Sequence, residues 1–197
     1  MSRFSQITPE SIVLAGVAIS SMFTGATTLL QYFADEVELS TLTFWTFGDL
    51  GSAGWGQIRF MLLVVALSSV YFMFHRWDFN ALLAGTETAA SLGIHVRRLI
   101  LINMILCCFA ASTIVSNVGL INFIGLVAPH IVRRLVGNNH VYLIPGTILA
   151  GASLLLLGDL VARTVVSPVI LPIGAITSFL GAPLFLYLLF KRRKGVC

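Results

Sequence analysis

The sequence predicts an all-α fold, a polytopic transmembrane helical bundle of about six spans. Three observations carry that prediction. The chain of 197 residues is 57% hydrophobic, with a mean hydropathy of +0.95. Charged residues make up only 10%, against roughly 25% in soluble domains, too few to cover a water-facing surface. The apolar residues fall into long runs, whereas the basic residues gather at their ends. The net charge of +4 therefore signals topology and not nucleic-acid binding, because no basic patch stands on a polar folded core.

A span needs about 20 apolar residues, and the runs follow in order. The first is Ile12 to Tyr32, free of charge and preceded by a polar start from Met1 to Glu10 that does not look like a cleavable signal. An acidic loop holds Asp35, Glu36 and Glu38. The second span is about Ile58 to Phe74, entered through Gly51, Gly54 and Gly56 and left at His75-Arg76. The third, about Leu99 to Val118, starts behind Arg97-Arg98. The fourth, Leu120 to about Val132, is short for a straight crossing, so a tilted or broken helix is expected. The fifth is about Val141 to Val161, and the sixth is Ile170 to Phe190, closed by Lys191 to Lys194.

Basic residues orient these spans. Arg3, Arg76 with Arg97-Arg98, Arg133-Arg134 and Lys191–Lys194 fall at alternate loops and both ends, so both termini are expected in the cytoplasm. Arg163 breaks the pattern by lying at the outer end of the fifth span, one turn after Asp159. The outer loop from Ser40 to Trp55 is aromatic and glycine-rich, which suits the membrane interface. The inner loop, about 78–98, is amphipathic, with Gly85 and Gly93 punctuating short helices at the membrane surface. Leu82, Leu83, Ala89, Leu92 and Ile94 argue against disorder there.

Cys107 and Cys108 sit mid-span and Cys197 ends the chain; none has metal-ligand spacing, and the adjacent pair reads as packing. No Walker A pattern is present, so ATP hydrolysis is not expected of this chain, and no carboxylate or histidine cluster within the spans suggests a resident metal. Pro129 can break its helix by removing a donor, as a hinge or as a span end. His130 can reach a cytoplasmic partner or cap the interface. Gly119, Gly125, Gly174 and Gly181 either line a path or allow close helix contacts, the latter being commoner.

The stretch GLINFIGLVAPHIVRRLVG, residues 119–137, resembles the GxIxFxGLxxPHxxR signature of the FecCD-type permeases. Four further blocks resemble the same family in the same order: FWTFGDLGSAGW, LLAGTETAASLGIHVRR, LIPGTILAGASLLLLGDLVART and LPIGAITSFLGAPLFLYLL. The family's layout has ten spans, and this chain looks like the C-terminal six, a single permease domain truncated at its N-terminus. The resemblance implies a membrane subunit of an ATP-binding-cassette importer for iron-siderophore, haem or cobalamin complexes in the bacterial plasma (inner) membrane. It implies a permease homodimer or heterodimer, two cytoplasmic ABC ATPase subunits that perform the hydrolysis, and an extracytoplasmic substrate-binding protein.

On that reading the inner loop couples to the ATPase through Glu87, Ala89, Ala90, Leu92 and Gly93, with His130 and Arg133 beside it. Arg163 docks carboxylates of the binding protein or pairs with Asp159, four residues away. Two other readings stay open. A truncated remnant would have no transport activity. An ATP-independent secondary transporter would be expected to carry paired ionisable residues within its spans.

Overall fold

The computed structural model describes residues 9–166 and 171–192, and it is helical throughout its regular structure. Arg3, Ile170, Arg193, Lys194 and Cys197, which figure in the sequence reading, lie outside the described residues. The chain divides into two compact units, one ending at Thr43 and the next beginning at Phe44.

The first unit holds α1 (Pro9–Phe33), an apolar helix long enough to cross a bilayer from Val13 to Phe33. It carries no polar stripe; Thr24, Thr27 and Thr28 instead turn their hydroxyls back onto carbonyls four residues earlier. The acidic stretch that follows is a helix start and not a loop. The Asp35 carboxylate accepts from the Glu38 N–H at 2.8 Å and Glu38 reaches back to the Asp35 N–H, a capping box that opens α2 (Glu36–Phe47). Most of the expected outer loop before Gly48 is therefore helical, with no Gly or Pro to interrupt it.

The second unit runs from the end of α2 onward. Three of its helices are long and apolar enough to span: α3 (Trp55–Phe74), α6 (Val96–Val118) and α8 (His140–Thr164). At ~1.5 Å per residue each reaches roughly the 30 Å of a hydrocarbon core or more. Between α3 and α6 lie two short helices, α4 (Arg76–Leu83) and α5 (Thr86–Ser91).

The fourth expected span is broken. Residues 119–122 are not helical, and α7 (Ile124–Val136) has only 13 residues. Phe123 begins it in the left-handed region, φ 64°, the one non-glycine residue with positive φ among those described. Pro129 does not end the helix but lies inside it. A three-residue turn, 137–139, then folds α8 back on α7. The last helix is α9 (Ile173–Arg192), whose described apolar stretch, Ile173–Leu186, is shorter than a full span.

α8 is the hub of this unit, touching α3, α4, α7 and α9. It approaches α7 closely because Gly146 faces Val132 and Gly151 faces Ala128. Val127, Ala128 and Val132 are buried on the α7 side, Leu143 and Ala162 on α8. Elsewhere the helices expose Leu, Ile, Phe and Val broadly, and the candidate spans have at most 11% of their residues buried. Such surface is stable only against lipid or other helices.

Candidate functional site: the elbow and the knot

Two places gather the residues singled out from sequence. One is the α4–α5 elbow. His75 ends α3 and begins α4, so the chain turns within a single residue. After Gly85, α5 runs for six residues and closes in a Schellman turn: the Ile94 N–H donates to the Ala89 carbonyl at 3.1 Å and the Gly93 N–H to Ala90 at 3.0 Å. That turn requires φ +84° at Gly93, a conformation glycine adopts without strain.

Glu87, Ala90, Leu92 and Gly93 are exposed on the elbow, Leu92 at 68%. Ala89 is not among them. It is fully buried, so its expected role as a partner contact is corrected: it packs inside the elbow, where a larger side chain would not fit. Beneath the elbow, Tyr71, His75, Asp78, His95 and Arg98 line a cleft of about 430 Å³, with the His75 ring stacked on Tyr71 at 4.2 Å.

The second place is a knot of backbone crossings where residues 119–122 pass between the end of α2 and the start of α9. The Asp49 N–H donates to the Val118 carbonyl at 2.9 Å and the Trp45 indole lies 3.4 Å from the Ser116 carbonyl. Any Cβ on Gly119 would meet the Trp45 carbonyl, and one on Gly174 would stand 2.7 Å from the Phe47 carbonyl. Gly181 leaves room for Phe123 itself, and a Cβ there would overlap that side chain. These three glycines serve close packing. Gly125 differs, being exposed with nothing within 4 Å of a Cβ. Asn122 Nδ2 donates to Ser178 Oγ at 3.2 Å, which pins the crossing to α9.

His130 is half-buried with its ring 5.9 Å from Phe185, and Pro129 beside it is half-buried, while Arg133 is exposed in the last turn of α7. Arg163 Nε donates to Asp159 Oδ2 at 2.8 Å, the expected i,i+4 pair, and a methyl at Gly51 would lie 3.6 Å from its Nη2. Both halves of the Arg163 expectation remain compatible, because a guanidinium has five donors.

Sequence reading missed Arg59, which sits in the first turns of α3 and turns Nε toward the Trp55 carbonyl at 3.3 Å. It also missed Asn80, whose partners lie 59 and 60 positions away. α7, α8 and α9 enclose an apolar cavity of about 230 Å³ behind Phe123. Among the described residues no cluster of three or more His, Cys, Asp or Glu is placed to hold a metal ion.

Residues 1–191 match the model of the FecCD transport family. An ABC transporter permease protein of Methanocaldococcus jannaschii, so named provisionally, is 50% identical over the whole chain, which covers 56% of that protein. The hemin transport system permease protein HmuU of Yersinia pestis is 35% identical over 98% of the chain and 58% of its own length. The vitamin B12 import system permease protein BtuC of Vibrio vulnificus is 33% identical over 97% and 57%. An inward-facing structure of an ABC transporter assigned to the metal-chelate type superposes with a TM-score of 0.87 at 34% identity, over 95% of this chain and 61% of that one. The chain thus spans little more than half the length of these relatives.

Proposed function

The chain belongs to the FecCD transport family, and from that premise we propose that it acts as the membrane-spanning permease subunit of an ATP-binding-cassette importer for a metal chelate. The substrate class is an iron-siderophore complex, with haem and cobalamin as its chemical neighbours. Hemin and vitamin B12 are named for two relatives. In this reading the chain forms a paired permease in the plasma membrane, with both termini and the elbow on the cytoplasmic side. Two ATPase subunits bind there, an extracytoplasmic binding protein docks opposite, and no chemistry is catalysed by the chain itself.

The observation that carries the reading is the elbow. A short helix ended by a glycine turn presents Glu87, Ala90, Leu92 and Gly93 outward while Ala89 locks it from within. Such a projection fits a groove on a partner, in the way helices seat in grooves. Nucleotide-driven closure of the partner then biases a two-state membrane element. Arg133 lies on the same side in this reading, and Arg163 on the other, where it offers a binding protein a charge that steers encounter and register.

The test is co-purification from detergent-solubilised membranes with a tagged chain. The wild type is expected to retain an ATPase subunit, and Glu87→Arg combined with Gly93→Trp to lose it. A stable, inserted wild type that retains none would refute the permease reading.

A further inference from the structure

The elbow and the start of α8 are held together by one side chain. Asn80 occupies the fifth position of α4. Its Oδ1 accepts from the backbone N–H of His140 at 2.8 Å and lies 2.9 Å from His140 Nδ1. Its Nδ2 donates to Asn139 Oδ1 at 2.9 Å, and that oxygen also accepts from the Val141 N–H at 3.0 Å.

The first N–H groups of a helix have no partner within it. Here Asn139 serves Val141 from its own chain position, while an amide on another helix serves His140. The backbone donor fixes the Asn80 amide orientation, since a flipped amide would set donor against donor, and it places the proton of the His140 ring on Nδ1. Phe79 adds a ring contact to His140 at 5.6 Å.

Downstream, α8 is one continuous helix, His140–Thr164. It is about 37 Å long at ~1.5 Å per residue. Gly146 meets Val132 near one end, Gly158 meets Thr177 further along, and the Asp159–Arg163 pair closes the other end. The softer points along it, Pro145, Gly146, Gly151 and Gly158, all lie within one continuous helix, and Gly146, Gly151 and Gly158 are packed against neighbours.

We propose that Asn80 is the positioning residue that makes α8 follow the elbow, by capping α8 from α4. This rests on the elbow being the ATPase contact. Asn80 touches no substrate; it converts displacement of α4 into displacement of α8.

The experiment uses the assembled complex with its ATPase. Cys107, Cys108 and Cys197 are replaced by Ser, and spin labels are placed at Ser91→Cys on α5 and Thr164→Cys at the far end of α8. The label separation is measured with ADP and with ATP plus vanadate. In the wild type it is expected to be the same in both states, because elbow and α8 travel together. In Asn80→Leu it is expected to shift between states by about 1–2 Å or more, the scale of helix shifts in switching proteins. Asn80→Asp keeps the acceptor for the His140 N–H and suits a helix N-terminus but gives up the donor to Asn139 Oδ1, so it is expected to fold if the Leu variant does not and to shift less than the Leu variant. A wild type whose separation changes, a Leu variant whose separation does not, or an Asp variant that shifts as far as Leu or further each overturns the proposal. A wild type that holds no ATPase overturns the permease reading beneath it, and the two failures are distinguishable by the co-purifying band.

Discussion

The knot and the elbow fasten the same unit by opposite means. At the knot, backbone lies on backbone: Gly119 and Gly174 have no Cβ because carbonyls of Trp45 and Phe47 occupy that space. At the elbow, the fastening is side-chain hydrogen bonds and one glycine turn, with most of α5 exposed. A steric contact between backbones has one setting, since close-packed groups do not deform gradually. A pair of amide hydrogen bonds is worth about 1 kcal/mol each, net, and can be remade in another geometry. On the proposed reading, the knot holds the chain and the elbow is the part that moves.

That contrast can be broken most severely at the knot. Gly119→Val places a branched side chain at φ +81° against the Trp45 carbonyl. The expected outcome is loss of the monodisperse peak in detergent size-exclusion chromatography; a well-behaved variant would show that the crossing is loose. Gly181→Leu comes next, because Phe123 can shift toward the apolar cavity behind it. Overpacking of this kind costs about 1–3 kcal/mol, read as a fall in apparent melting temperature, and an unchanged temperature would mean the cavity absorbs the leucine.

The elbow answers more mildly. Gly93→Ala strains the Schellman turn by about 1 kcal/mol, which for a chain of this size lowers the melting temperature by about 2–4 °C; a larger fall would move Gly93 into the class of the knot glycines. Smallest is Glu87→Arg on the exposed face of α5, where stability is expected to change by less than about 0.5 kcal/mol. ATPase retention is nevertheless expected to drop in the pull-down. If melting falls and retention does not, the elbow is a structural strut.

The sequence was most legible where one rule dominates. Uninterrupted apolar runs marked α1, α3, α6 and α8 within a few residues, because burying backbone in a bilayer demands helix. It was least legible where tertiary contacts decide. Hydropathy averages over Gly119–Asn122 and cannot see that Leu120 must thread between Gly48 and Gly174. The left-handed Phe123 is held by space left at Gly181 on another helix. The aromatic stretch before Gly48 reads as an interfacial loop, yet its helix is set by the Asp35–Glu38 capping box, a pattern that was present and passed over. In the elbow, glycine positions located the turns, but only the fold shows that Ala89 faces inward. Asn80 carries no local signal, since its partners are remote in sequence.

The Asp159–Arg163 contact has a consequence in electrical terms. A lone arginine on α8 would make every displacement of that helix along the membrane normal a movement of charge through the transmembrane field, and the work would scale with the potential. Joined at 2.8 Å to a carboxylate on the preceding turn, the same arginine travels as half of a neutral dipole. Displacing α8 would then shift almost no net charge, so any movement of it along the membrane normal is expected to be nearly voltage-independent.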